Sequence, residues 1–471
     1  MRAFTILKNL LPFFPLSSAQ FLRPRVLTRD SSSSESDFDW SSITPSSNIE
    51  WVKCYQDFTC ARLEVPLDYG DHSKGKTAVA FIKFAAKNAT SNTKNLLVNP
   101  GGPGESGIDL ALGAGSMIQE IFGDNYNIVG FDPRGVSRSG PVIDCWPNHP
   151  ERRGKFETFF YPEVANASTT ALRGVDGNAS FISTPAVAQD MLTYAKTEQI
   201  AAGKSSNDAK VAYYGLSYGT VLGATFASMF PDNVERMVLD GVFALSDYYD
   251  GAWKTSVYDT DKALASFSRY CYQGGKENCS FWGPSVSNIT TRLNNIFADL
   301  KYNPIPIPST ERCSVPTMAT YSELKQMALE IMYSPSEFPT LADAFSDLER
   351  RNTSGYLTVM DIASGPVNPC SNGTDGSSGD PLILIKCVDA WDGLKFDDIE
   401  QYRQYVNDLE DKSPFFGEVW PQTAATVLCR SLDAIPPKSA RVTGSMMETR
   451  NTSFPILFIT SEIDPVTPRR E

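Results

Sequence analysis

Apolar and polar residues alternate over Arg62–Tyr69 (RLEVPLDY) and again over Thr77–Phe84 (TAVAFIKF), with the turn residues Gly70-Asp71-His72 between them. Alternation with a period of two on either side of a turn predicts an antiparallel hairpin. The pattern then changes. Short apolar runs occur at Asn95–Asn99 (NLLVN), Asn127–Phe131 (NIVGF) and Lys210–Tyr214 (KVAYY), and a fourth ends at Met237–Leu239. Helical patterns such as Ala186–Thr197 and Val221–Met229 separate them. Apolar strands alternating with helices predict an α/β fold, a mostly parallel sheet with helices on both faces. After Gly241 the alternation stops. From about Ser246 to Asp397 there follow helical segments, closely spaced cysteines and the Pro-rich stretch Asn303–Pro308, read as a loop. Phe454–Thr460 (FPILFIT) reads as a buried strand again. The expected organisation is a sheet core over 51–245, a large, mostly helical lid or cap over 246–397, and a return to the core over 398–471.

The ends and the composition add a compartment. Arg2, the apolar stretch Leu10–Leu16 and the small residues Ser17-Ser18-Ala19 read as an export signal over 1–19. A Ser/Asp-rich stretch follows and makes 20–50 a flexible leader, with order beginning near Trp51. Asn-x-Ser/Thr acceptor sites stand at Asn88, Asn166, Asn178, Asn278, Asn288, Asn352, Asn372 and Asn451. Nine cysteines are present and none forms a zinc-type CxxC pair, so disulfides are the better reading. Cys54 with Cys60, and Cys271 with Cys279, are near enough to close small loops. These features together predict a secreted, extracellular glycoprotein. The net charge of -13 argues against nucleic acid or an anionic membrane surface as partner, since both need a basic face. No run approaches the 18 apolar residues of a membrane span. Nothing in the sequence calls for a cofactor or a metal, and the oligomeric state is not legible.

Chemistry is concentrated at Gly215-Leu216-Ser217-Tyr218-Gly219, a G-x-S-x-G pattern. The pattern alone recurs by chance, but here a strand (KVAYY) precedes it and an apolar helix (TVLGATFASMF) follows it. That strand–turn–helix setting is what a nucleophile elbow requires, and it makes Ser217 the candidate nucleophile. Acyl transfer also needs donors for the oxyanion. The backbone N–H of Tyr218 is one by position. The second is expected from the loop Asn99-Pro100-Gly101-Gly102-Pro103-Gly104, with Gly102 preferred over Gly101. The same loop lacks the Lys that a phosphate-binding loop would carry.

Four segments together, PGGPGESG, FDPRGVSRSG, YYGLSYGTVLGATFASMFPDNVERMVLDGV and the late ITSEIDPVTP, resemble the tripeptidyl-aminopeptidase-like branch of the prolyl aminopeptidase family of α/β-hydrolases. The resemblance runs from about Trp51 to the last residue and is weakest in the lid. It implies an α/β-hydrolase fold, a secreted serine hydrolase and a peptide substrate. It also implies that Asp464, in Asp464-Pro465-Val466-Thr467-Pro468, is the acid that orients a catalytic histidine. That histidine belongs beyond the acid in the family. The two histidines present, His72 and His149, both precede Ser217. The resemblance therefore implies a C-terminally truncated chain, with the last strand, its helix and the base absent. On that expectation the 471 residues alone are inactive or weak.

Other residues read more plainly. Asp132 and Arg134 brace the loop after their strand. Glu105, beside the glycine loop, is a candidate reader of a substrate ammonium, and Asp247, Asp250 and Glu337 of the lid cannot be ranked against it. Trp253, Trp282 and Trp391 read as core rather than as a substrate platform. Three functional readings stay open: an aminopeptidase releasing residues or short peptides from N-termini, a carboxylic-ester hydrolase or lactonase on the same scaffold, and a non-catalytic pseudoenzyme.

Overall fold

The alternating and the continuous apolar segments assemble into one twisted sheet. In this computed structural model the described residues are 38–90, 93–143, 177–309, 316–363, 380–424, 426–432, 434–442 and 451–469. The export signal 1–19, the start of the leader, His149, Asn166, Asn372, Cys145, Cys313 and Cys370 lie outside them.

β1 (Val52–Cys54), β2 (Phe58–Pro66) and β3 (Lys76–Phe84) form an antiparallel meander at one edge. β1 was not legible in the sequence, and the Cys54–Cys60 disulfide ties it to β2. β4 (Lys94–Asn99), β5 (Tyr126–Phe131), β6 (Val211–Leu216) and β7 (Val234–Asp240) then run parallel, in the order β3-β5-β4-β6-β7. The order reverses direction around β4. In open α/β sheets the crevice beyond the carboxyl ends of the strands, at such a switch point, is where ligands bind.

Residue parity divides the strand side chains between two faces, as the period of two demands. Leu97, Val129 and Tyr213 pack against α2 (Thr184–Ala201) and α3 (Tyr218–Met229). Leu96, Val98, Ile128, Ala212 and Tyr214 pack against α1 (Gly107–Phe122). All residues of β6 are buried, which is why its sequence reads as a near-continuous apolar run.

Two readings at the edges change. The leader is ordered earlier than Trp51: Ile43 and Ile49 are buried, and Ser46 bridges to Leu63 alongside β2. Packing of these two isoleucines overrides the polar composition around them. The last sheet strand, β10 (Ile456–Ile459), pairs parallel with β7 and is the outermost strand of the order. Its Leu457 and Phe458 are exposed rather than buried, at 56% and 57%. A parallel strand is covered on both faces only when helices flank it, and no described helix covers these two.

Between β7 and β10 the chain builds the lid. Its helices are α4 (Thr260–Asn278), α5 (Val286–Tyr302), α6 (Tyr321–Met332), α7 (Phe338–Leu348), α8 (Ser354–Ile362), α9 (Asp380–Asp389) and α10 (Ile399–Lys412). The helical region therefore runs past Asp397. Tyr405 and Leu409 of α10 join the same buried cluster as the earlier lid helices. The Pro-rich stretch holds a short strand, β8 (Ile305–Ile307), paired with β9 (Thr317–Ala319). Cys271–Cys279 closes a small loop at the end of α4, as its spacing predicts. Cys387–Cys429, 42 residues apart, ties α9 to the segment leading back to the sheet. The lid cluster also takes in Val136, Tyr218, Val221, Phe243 and Val466 from the carboxyl end of the sheet, so lid and core share one apolar interior. Trp253 is core, as expected, while Trp282 and Trp391 are half-buried under Lys276 and Arg441. No helix among the described residues is long and apolar enough to cross a membrane.

Candidate active site

Ser217 stands between β6 and α3 in a backbone conformation that few L-residues adopt, φ 53° and ψ −121°. Such a conformation costs on the order of 1–3 kcal/mol and persists only where neighbours enforce it. Here they do. The Ser217 N–H donates to the Asp240 carbonyl at the end of β7 (2.9 Å), and its own carbonyl accepts from the Thr220 N–H (2.8 Å) and hydroxyl (2.6 Å). Ser217 is half-buried while Val211–Leu216 and Tyr218–Gly223 are buried, so the strand and helix expose this one residue. It lies at the N-terminus of α3, where unpaired N–H groups favour developing negative charge.

β4 neighbours β6, with Asn99 opposite Gly215. The glycine loop after β4 thus begins beside the elbow. Gly101 has φ +113°, and a Cβ built on it would lie 2.7 Å from the Leu216 carbonyl oxygen, 3.0 Å from Ser217 Cβ and 3.1 Å from the Tyr218 nitrogen. Only a glycine brings this backbone so close to the nucleophile. The contact also bears on the choice of oxyanion donors. The Gly101 N–H already donates to Asn99 Oδ1 (3.1 Å), while Gly102 is partly exposed in the same loop. Asn99 escaped the sequence reading. Its only local signal is a polar residue closing an apolar strand, yet it is fully buried and pins the loop against the elbow.

A Gly101→Ala variant should lose about 10²–10³-fold in turnover of p-nitrophenyl acetate, because its Cβ would run into the Leu216 carbonyl oxygen and push the glycine loop, with the Gly102 N–H, away from the elbow. Steady-state kinetics on the folded variant, checked by circular dichroism, reads this directly.

Asp464 follows β10 and is buried, and its Oδ1 accepts the N–H groups of Val466 (3.1 Å) and Thr467 (2.8 Å). β10 pairs with β7 so that Ile459 faces Asp240, the residue holding Ser217. Nucleophile, glycine loop and Asp464 thus follow the carboxyl ends of β6, β4 and β10 on one edge of the sheet. His72 sits exposed in the turn between β2 and β3. Three strand spacings of about 4.8 Å separate β3 from β6, about 14 Å sideways from Ser217 along the order β3-β5-β4-β6.

Glu105 is half-buried on the glycine loop, where its Cγ would stand 3.4 Å from a Cβ at Gly102. The lid acids lie elsewhere. Asp247 accepts the N–H groups of Lys254 (3.0 Å) and Thr255 (2.7 Å), Asp250 is exposed, and Glu337 accepts from the Thr340 hydroxyl (3.3 Å). Asp132 binds the Ile108 N–H, the Arg138 N–H and guanidinium, and the Ser106 hydroxyl, bracing the start of α1. Among the described residues no cluster of His, Cys, Asp and Glu could hold a metal ion.

A family model described as "alpha/beta hydrolase fold" matches residues 94–271, from β4 into the lid. The serine protease Hip1 of Mycobacterium tuberculosis is 27% identical over 364 residues, covering 72% of this chain and 66% of that protein. The tripeptidyl aminopeptidase of Streptomyces coelicolor is 23% identical over 437 residues, covering 89% and 75%. Carboxylesterase B of Mycobacterium tuberculosis is 25% identical over 344 residues, covering 70% and 62%. The chain thus spans about two thirds, 66%, of the length of the Hip1 proteases it matches.

Proposed function

We propose that this chain, whose fold is that of an α/β-hydrolase, is a secreted serine aminopeptidase that removes residues or short peptides from peptide N-termini. The observation that carries the chemistry is the strained Ser217 with the Gly101 backbone against its Cβ. Ser217 Oγ attacks the carbonyl, and the N–H groups of Tyr218 and Gly102 receive the oxyanion. Asp464 orients the imidazole that takes the proton. The lid restricts the site to chain ends, and Glu105 reads the substrate ammonium. Export is supported by the disulfides among the described residues and by the exposed acceptor sites Asn88, Asn278, Asn352 and Asn451.

Similarity to a carboxylesterase favours a second reading, hydrolysis of carboxylic esters without regard to an amino terminus. Peptidyl p-nitroanilides with free and with acetylated N-termini separate the two. An ammonium read by a carboxylate is worth about 1.5–3 kcal/mol, so the free peptide should be cleaved at least about tenfold faster in kcat/KM. Equal rates exclude the aminopeptidase.

A further inference from the structure

We propose that Asp389, the last residue of lid helix α9, is a positioning residue that holds the oxyanion side of the elbow through Thr184 and Tyr218. The inference rests on the serine-hydrolase reading above.

Thr184 is the first residue of α2, and the side chain of the residue before it, Ser183, donates to the Ala440 carbonyl instead of capping the helix. The cap is supplied by the lid. Asp389 accepts the Thr184 N–H (2.7 Å) on one oxygen. Its other oxygen accepts the Thr184 hydroxyl (2.5 Å) and the Tyr248 hydroxyl (2.8 Å). Having donated its one proton to Asp389, the Thr184 hydroxyl accepts from Tyr218 OH (2.5 Å). The hydrogen bonds therefore run one way, from Tyr218 to Thr184 to the carboxylate. Tyr218 follows the nucleophile, and its backbone N–H is the oxyanion donor. Its ring is buried and packs 5.5 Å from that of Tyr248.

The other end of α9 touches the opposite wall. A Cβ on Gly104 would lie 2.7 Å from the Leu382 nitrogen and 2.9 Å from Pro381 Cβ. One lid helix thus rests on the glycine loop with its first turn and grips the elbow with its last residue. No described Lys or Arg forms an ion pair with Asp389, whose partners are the Thr184 N–H and the Thr184 and Tyr248 hydroxyls. Burial pushes its pKa up to about 7. The titratable groups around it are Tyr218, Tyr248 and Tyr249, and Lys386 lies one turn earlier on α9 with its ammonium on the Ala424 carbonyl and Thr426.

The raised value has a sign. Between the ordinary carboxylate range and about 7 the folded protein binds the proton that the unfolded chain has released, so ionising Asp389 lowers stability as pH rises. Asp389→Asn removes that charge and keeps the shape, and so separates positioning from folding.

The experiment compares the protein with its D389N and Y218F variants at pH 8. It follows p-nitrophenyl acetate turnover, inhibition by a peptidyl trifluoromethyl ketone and thermal melting. The ketone forms an oxyanion on Ser217, so its affinity reports the donors. Expected for both variants are a kcat about tenfold lower, KM within threefold, ketone affinity lower in proportion to kcat, and for D389N a melting temperature not below that of the parent. The Y218F variant removes only the elbow's hydroxyl and leaves the Asp389 cap of α2 in place. Unchanged kcat and ketone affinity in both variants overturns the proposal, and so does a loss of activity matched by a loss of melting temperature alone. If the parent protein forms no adduct on Ser217 with the ketone, the hydrolase reading itself fails and this one with it.

Discussion

Ser217→Ala should abolish the covalent adduct that an alkyl fluorophosphonate forms with this protein, and should lower ester turnover by about 10⁴-fold or more where an imidazole serves the serine. The size of the effect follows from the elbow. The backbone at Ser217 is held by the Asp240 carbonyl and by Thr220, and the glycine loop abuts its Cβ. Alanine leaves those backbone contacts in place and removes only Oγ. The variant should therefore fold like its parent, and the loss would be chemical. Intact-protein mass spectrometry reads the adduct, and initial rates read turnover. His72→Ala, in an exposed turn at a strand about 14 Å to the side by strand spacing, should leave both within twofold. A fall of only about tenfold in Ser217→Ala would mean that the serine works without a base. An adduct surviving on the variant would remove Ser217 from the mechanism.

Arg134→Ala should be the most destabilising single change, at about 3–5 kcal/mol. The guanidinium is fully buried and forms two hydrogen bonds to Asp190, Nε to Oδ2 (2.6 Å) and Nη2 to Oδ1 (2.7 Å). Its remaining donors serve the carbonyls of Pro66 (2.6 Å), Leu67 (2.7 Å) and Phe181 (3.2 Å). It thereby joins the end of β2, the loop after β5 and helix α2. Truncation strands Asp190 without its cation and leaves those carbonyls short of partners, while Tyr69 OH still donates to Asp190. Urea unfolding should show a lower midpoint with little change in slope. Arg134→Met with Asp190→Leu should recover part of the loss, because two buried charges are then removed together. A midpoint unchanged in Arg134→Ala would mean that water reaches Asp190.

The parts of this protein legible in its sequence are those whose cause is local. A sharp turn between an apolar strand and an apolar helix leaves the G-x-S-x-G signature in five consecutive residues. A backbone that must approach a nucleophile leaves glycines. Cysteines separated by 6 and by 8 residues close their own loops. The strands β4, β5 and β6 are readable because burial on both faces demands continuous apolar runs.

What only the tertiary structure decided are relations across long stretches of chain. The pairing of Cys387 with Cys429, the continuation of the lid through α10 and the exposure of Leu457 and Phe458 depend on which elements become neighbours. Gly101, second to Gly102 as an oxyanion donor by its place in the loop, has its N–H held by Asn99 Oδ1. Asp389 lies 205 positions from Thr184, and nothing around it in the sequence announces a cap for another helix. Hydrophobic periodicity reports which face of an element is buried. Which groups meet inside is settled by the packing of all the elements at once.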